Sequence, residues 1–313
     1  MNDEYYWVKR PESKAGTPQG FEAAKVVDEL EDGVVFEIWG TKEKMVSDME
    51  SIVATVSPPV DETLSKHPAD LVDVDDVSDP QLLHFLKSKF MKKDIIYSSI
   101  GGILISVNPY KNIDNLYSNE NLKQYLVEGR DLANGGYGGE DLAPHVWRIA
   151  LNAYVGISTA TECSKQAVVI SGESGSGKTE ATKRIMTYLS AISDVIKDEE
   201  YNDLQYKSGS DAIESRVMAI NPMLESFGNA KTSHNNNSSR FGRWLEIYFE
   251  REGKHQQVVG ANITQYLLEK IRVVSQAKGE RNYHIFYQLC SDKSQGLGSP
   301  SEYVNYARVM LFV

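Results

Sequence analysis

The sequence predicts an α/β protein, a mixed central sheet flanked by helices, preceded by a small separate antiparallel β module. Three observations carry this prediction. The first 60 residues hold only short strand patterns broken by turn residues. From residue 61 onward, strand and helix patterns alternate. Within that part, a β-branched apolar run passes through a glycine-rich loop straight into an amphipathic helix.

The elements follow in order. Residues 21–28 and 34–39 read as strands around Glu31-Asp32-Gly33, where Asp-Gly favours a tight hairpin turn. Residues 51–56 form a third strand pattern, and Ser57-Pro58-Pro59 ends it, placing a boundary near residue 60. Asp79-Pro80 opens a helix in which Leu82, Leu83, Leu86 and Phe90 recur at helical spacing. Residues 95–107 read as two strands joined at Gly101-Gly102. The glycine-rich run 134–139 has no apolar strand before it, so it reads as a loop rather than a phosphate cradle. Residues 144–157 are helical with proline in the first turn. Residues 197–210 are polar and charged, which reads as an exposed loop. Residues 212–227 are helical in pattern, although Pro222 should kink or end the helix. Residues 243–250 and 256–263 form a hairpin pattern around Arg251-Glu252-Gly253-Lys254, and a last helix spans about 282–290.

Composition narrows the function. With 41% hydrophobic and 25% charged residues, the chain can fold a core. Its formal charge of −11 argues against general nucleic-acid binding, which needs a basic face. Cys163 and Cys290 form no C-x-x-C pair, so they read as reduced thiols rather than metal ligands. The polar start Met1-Asn2-Asp3-Glu4 carries no signal-peptide pattern, and no apolar run has the roughly 18 residues of a membrane span. These features read as cytoplasmic.

The strongest motif is Gly172-Glu173-Ser174-Gly175-Ser176-Gly177-Lys178-Thr179, which matches G-x-x-x-x-G-K-[ST] at every fixed position. The apolar run Gln166-Ala167-Val168-Val169-Ile170-Ser171 before it reads as a buried strand. Ala181, Ile185, Leu189 and Ile192 mark one face of the helix after it. This is the P-loop context of a nucleoside-triphosphate-binding core. Glycines let backbone N–H groups turn toward phosphate oxygens, and the helix N-terminus adds its positive dipole end. Lys178 is expected at the β- and γ-phosphates of ATP, and the Thr179 hydroxyl on Mg²⁺.

A second loop, Asn235-Asn236-Asn237-Ser238-Ser239-Arg240-Phe241-Gly242, collects amides, two hydroxyls and a guanidinium before a strand. Such a cluster alone is usually a solvated turn. With a P-loop upstream it becomes a candidate for the loop that senses the γ-phosphate, switch I. One hydroxyl can complete a Mg²⁺ shell and its neighbour can orient the attacking water.

Together with Glu225-Ser226-Phe227-Gly228-Asn229-Ala230-Lys231-Thr232, Tyr266-Leu267-Leu268-Glu269-Lys270 and Gly279-Glu280-Arg281-Asn282-Tyr283-His284-Ile285-Phe286, these loops resemble the myosin motor signature, in the family's order. Asn108-Pro109-Tyr110-Lys111 and Pro144-His145-Val146 extend the resemblance, so that it runs from about residue 61 to the end. Kinesins also carry a P-loop and Ser-Ser-Arg, but continue with Ser-His, whereas Phe241-Gly242 follow here.

The resemblance implies further roles. Asn108, Pro109, Lys111 and Tyr117 would belong to the purine-binding loop, and Asn235 would join the nucleotide contacts. Ser238 would assist the lytic water and Ser239 would ligate Mg²⁺ beside Thr179. Arg240 would pair with a glutamate of switch II, and Lys178 would act with Ser238 and Arg240 in catalysis. Residues 1–60 would be an SH3-like module. Residues 61–313 would be the part of a motor domain holding the P-loop, switch I and the start of the upper actin-binding subdomain. The partner implied is the actin filament. Position 234 is His where the family commonly has Arg.

Some family features are missing from this stretch. No Asp-Ile-x-Gly-Phe-Glu switch II occurs, no IQ-type light-chain site occurs, and no glutamate stands out as the partner of Arg240. Two readings therefore stay open beside the ATP-hydrolysing actin motor: a fragment that binds nucleotide without hydrolysis or motility, and a kinesin-like P-loop ATPase. On its own this stretch is expected to lack actin-activated hydrolysis.

Overall fold

The computed structural model describes residues 4–10, 20–56, 64–65, 68–74, 77–137, 142–160, 165–195, 213–252 and 255–291. Its contacts divide the chain into two units, Met1–Ile113 with Ala143–His145, and Asp114–Leu142 with Val146–Val313.

In the first unit, β1 (Tyr6–Lys9), β2 (Phe21–Leu30), β3 (Gly33–Ile38), β4 (Lys44–Ser47) and β5 (Ile52–Thr55) make an antiparallel sheet in the order β4-β3-β2-β1-β5. The β2–β3 hairpin turns at residues 31–32, where Asp-Gly was expected to turn it. Side chains alternate across a strand, so neighbours enter different cores. Val8 and Ala24 pack with Val34, Phe36 and Ile38. Trp7 and Ala23 pack with Val56 and Leu64.

Helix α1 (Asp79–Lys93) starts after Ser78 with proline in its first turn and ends at Asp94, which takes a left-handed φ of 52°. Its buried face is not the expected one. Phe85, Gln81, Ser88 and Lys89 are buried, whereas Leu83 is exposed. Lys89 can lie inside because its Nζ donates to Pro68 O at 2.9 Å while its aliphatic stem packs. Burial lowers its pKa. Residues 95–107 form the hairpin β6 (Tyr97–Ile100) and β7 (Ile103–Ser106), as expected.

In the second unit, α2 (Asn119–Ala133), α3 (Val146–Ser158) and α4 (Lys178–Val195) pack side by side. Tyr188 of α4 donates to Tyr125 O of α2 at 2.9 Å, and Trp147 of α3 donates to Arg184 O of α4 at 3.1 Å. Ile185, Leu189 and Ile192 are buried, which is the face their spacing indicated. Helix α5 (Ile213–Gly228) runs through Pro222 without ending. The pair β8 (Asn229–Ala230) and β9 (Ser238–Ser239), the long hairpin β10 (Gly242–Glu252) with β11 (His255–Tyr266), and α6 (His284–Ser291) complete the unit. The hairpin is tied to the helices by Tyr154, whose hydroxyl donates to Gln256 O at 3.2 Å, and by Ser193 Oγ, which accepts from Val258 N at 2.9 Å.

One expectation is corrected. Residues 166–171 belong to no strand, and Val169 is 88% exposed. A β-branched run becomes a strand only where a neighbouring strand takes up its backbone groups, and no sheet among the described residues reaches it. Among the described residues the sheets, one of five strands and three of two, are antiparallel rather than mixed. The polar run 197–210 and Cys163 lie outside the described residues. Cys290 is a free thiol.

Candidate functional site

The P-loop motif turns at Ser174-Gly175 and opens α4 at Lys178. Gly175 and Gly177 take φ of 83° and 97°, a region that disfavours any residue with a Cβ. The loop thereby curls over the first turn of an 18-residue helix, an end at which backbone N–H groups and the dipole favour negative charge. Lys178 is folded back on its own loop. Its Nζ donates to Gly172 O at 2.6 Å and to Glu173 O at 2.8 Å. Ser176 N donates to Glu173 O at 3.2 Å, and the Thr179 side chain is exposed beside the loop.

The second loop is closed at its base by the β8–β9 pair, with Asn229 opposite Ser239 and Ala230 opposite Ser238. Inside it, Thr232 N donates to Asn235 O at 2.9 Å and Asn235 N donates to Thr232 Oγ1 at 3.1 Å. Asn237 links it outward. It accepts from Asn229 Nδ2 at 3.0 Å, lies 3.0 Å from His284 Nε2, and donates to Glu225 Oε2 at 3.2 Å. The far end is fixed by packing. A Cβ on Gly228 would run into the Phe241 ring, so glycine there admits the aromatic ring against the backbone.

The two loops meet. Ser174 Oγ of the P-loop lies 2.8 Å from Ser238 Oγ, and Asn235 Nδ2 donates to Ser174 Oγ at 3.3 Å. Ser238 is fully buried, and Arg240 Nη1 donates to its Oγ at 3.3 Å. Ser239 points the other way and is exposed. Residues more than 60 positions apart thus share one hydrogen-bonded cluster at the start of α4.

Arg240 does have an anionic partner, contrary to the sequence expectation. Its Nε donates to Glu269 Oε2 at 2.7 Å. Arg272 Nε donates to the same oxygen at 2.7 Å, and Arg272 Nη2 reaches Glu280 Oε2 at 2.8 Å. Burial pushes the Glu269 carboxyl up, but the hydrogen bonds and charges of Arg240 and Arg272 outweigh it and hold the group below the ordinary value. The hydrogen bond from Arg272 holds Glu280 low as well. Burial works against the Arg272 cation, and the two carboxylates more than restore it. Glu269 and Glu280 stand within the family-like motifs, but no spacing rule joins them to loop residues 29 and 47 positions upstream.

The four residues expected near a purine fall in different units. Asn108, Pro109 and Lys111 belong to the first. There Asn108 Oδ1 accepts from Tyr110 N at 3.0 Å, and Lys111 Nζ pairs with Asp94 Oδ1 at 2.6 Å. Tyr117 belongs to the second, where the Arg184 guanidinium of α4 lies 3.9 Å from its ring centre and Trp147 packs edge-on. Tyr117 therefore packs on the helix that follows the P-loop.

The family model for the myosin head (motor domain) matches residues 68–303. This chain belongs to the myosin motor family. The chain is 46% identical over 221 residues to the myosin IC heavy chain of Dictyostelium discoideum, covering 71% of this chain and 17% of that protein. It is 37% identical over 281 residues to unconventional myosin-VI of Bos taurus, covering 89% of this chain and 19% of that one. It is 41% identical over 250 residues to myosin-1 of Neurospora crassa, covering 78% and 18%. The chain thus spans less than a fifth of the length of these relatives.

Proposed function

We propose that this chain is the ATP-binding portion of an actin-based motor that hydrolyses Mg-ATP by in-line attack of water on the γ-phosphate. The observation that carries the reading is the 2.8 Å approach of Ser174 Oγ to Ser238 Oγ, which brings a P-loop and a hydroxyl-rich second loop to one helix N-terminus.

The residues fit the nucleotide and its metal. Mg²⁺ keeps phosphate oxygens, hydroxyls and waters as ligands, and the exposed hydroxyls of Thr179 and Ser239 are donors of that kind. When bound, Mg²⁺ neutralises charge on the β- and γ-phosphate oxygens. Lys178 exchanges the Gly172 and Glu173 carbonyls for phosphate oxygens and contributes a fixed cation. The loop from Gly172 to Thr179 wraps the phosphates with its N–H groups. Ser238 and Asn235 hold the second loop against Ser174, and Ser238 orients the attacking water. Arg240 supplies charge to that loop. Residues 1–60 serve as an SH3-like module, and 61–313 carry the P-loop core, switch I and the start of the upper actin-binding subdomain. Such a protein works in the cytoplasm on actin filaments, and motion follows from loops that order around the γ-phosphate.

A second reading is nucleotide binding without hydrolysis. It is favoured by Arg240 being already neutralised by Glu269. Phosphate release measured beside binding separates the two. The binding itself is tested with Lys178→Ala in a fluorescent-ATP titration. We expect affinity to fall by about a hundredfold, the loss of the charge-assisted bonds of one cation to phosphate. Undiminished affinity removes the P-loop from the account.

A further inference from the structure

We infer that Glu269 is a positioning residue for residues 229–242, and that the segment 269–283 thereby sets where Ser238 and Arg240 stand beside the P-loop. The inference rests on the nucleotide-site reading above and names what holds that site in shape.

One oxygen of Glu269 is shared by two guanidiniums, Arg240 and Arg272, each at 2.7 Å. Glu269 also holds the backbone, its N–H donating to Arg240 O at 3.0 Å. Arg240 is therefore gripped at both side chain and main chain by the same residue. The grip does not move easily, because its other members are fixed. Arg272 is 4% exposed, and its Nη1 donates to Arg281 O at 3.0 Å. Glu269 O accepts from the Tyr283 hydroxyl at 2.7 Å, and Tyr283 is buried. The same segment touches the loop at further points. Arg281 N donates to Lys231 O at 3.0 Å, Ser233 N donates to Glu280 at 3.4 Å, and Ala230 bridges to Tyr283.

Read from the other end, contacts pass from Ser174 to Ser238, Arg240, Glu269, Arg272 and Glu280, and back to the loop at Ser233. Two carboxylates balance two guanidiniums, so the Arg240 cation is fixed in place instead of reaching freely for any anion. A loop fixed before the ligand arrives has less ordering entropy to lose on binding. The residue that fixes it should matter most for the phosphate that this loop faces, and little for the phosphates held by the P-loop alone.

The test uses Glu269→Gln in the full chain, with fluorescent ATP and ADP as probes and hydrogen exchange without nucleotide as a second readout. Losing a charge-assisted hydrogen bond at a part-exposed site corresponds to about tenfold. We expect the preference for ATP over ADP to fall about tenfold with ADP affinity retained, and exchange across residues 229–242 to rise similarly while α4 is unchanged. Glu269→Asp keeps the charge but withdraws it by one methylene, and should fall between. Lys178→Ala should remove both nucleotides yet leave loop exchange as in the wild type, so failure of the nucleotide reading and failure of the clamp give different patterns. If Glu269→Gln does not fold, Glu280→Gln carries the same signs at smaller size. An unchanged nucleotide ratio with unchanged exchange, a raised preference for ATP, or an equal loss of both nucleotides would overturn the inference.

Discussion

Two carboxylates decide the charge balance around Arg240, and both are held below their ordinary pKa, Glu269 against the pull of burial and Glu280 with the hydrogen bond of Arg272 leading. A carboxyl lowered by folding binds its proton less tightly in the folded chain than in the unfolded one. The stability it adds is complete above the ordinary value of about 4.3 and is lost as pH falls through the lowered one. The urea midpoints of wild type and Glu280→Gln should therefore differ at pH 7 and draw together below about pH 4. A gap that widens on acidification would reverse the assigned sign. At this scale the sequence was a good guide to types and a poor guide to partners. Lys178, Thr179, Ser238 and Arg240 could be singled out because a phosphate site would need groups of those types at those spacings. The pairing of Arg240 with Glu269 was not, because an ion pair across 29 positions depends on how β10 and β11 return the chain to β9.

Packing between elements turns on a few close approaches. Gly129, buried on α2, faces the Tyr188 hydroxyl of α4, and a Cβ there would overlap it. Gly129→Ala should cost about 1–3 kcal/mol, the usual range for overfilling a packed contact. Adding Tyr188→Phe removes the clashing hydroxyl and should recover part of that loss, although Tyr188→Phe alone loses its bond to Tyr125 O. Thermal midpoints of the four proteins check this; strictly additive losses would mean that the two groups do not meet. Hairpins were well marked in the sequence, since Asp32-Gly33 and Gly101-Gly102 each sit where chain reversal occurs. The inward face of α1 was less well marked. Apolar spacing pointed to Leu83, but the helix turns Lys89 inward to meet Pro68 O, a contact that apolar periodicity does not register.

Across the second unit, apolar side chains remain in solvent. Val169 stands before the P-loop, Trp244 and Tyr248 on β10, and Met223 and Phe227 on α5, each about half exposed or more. Exposed apolar and unpaired extended segments favour self-association. Val169→Lys should therefore change folding stability by no more than about 0.5 kcal/mol, the range of substitutions away from packed features. It should also reduce association measured by sedimentation at rising concentration. A fall of several degrees in thermal midpoint would show that Val169 is buried in solution.

Residue order alone sufficed to mark the P-loop motif, the hydroxyl-rich loop, the hairpins and the family, because glycine conformations, charge types and turn preferences act over a few neighbours. The contact between Ser174 and Ser238, the grip of Glu269 on Arg240 and the exclusion of residues 166–171 from the sheets of the described residues emerge only when the chain is folded. Each depends on groups far apart in the chain arriving within hydrogen-bond reach, or failing to, and short-range preferences carry no record of that distance.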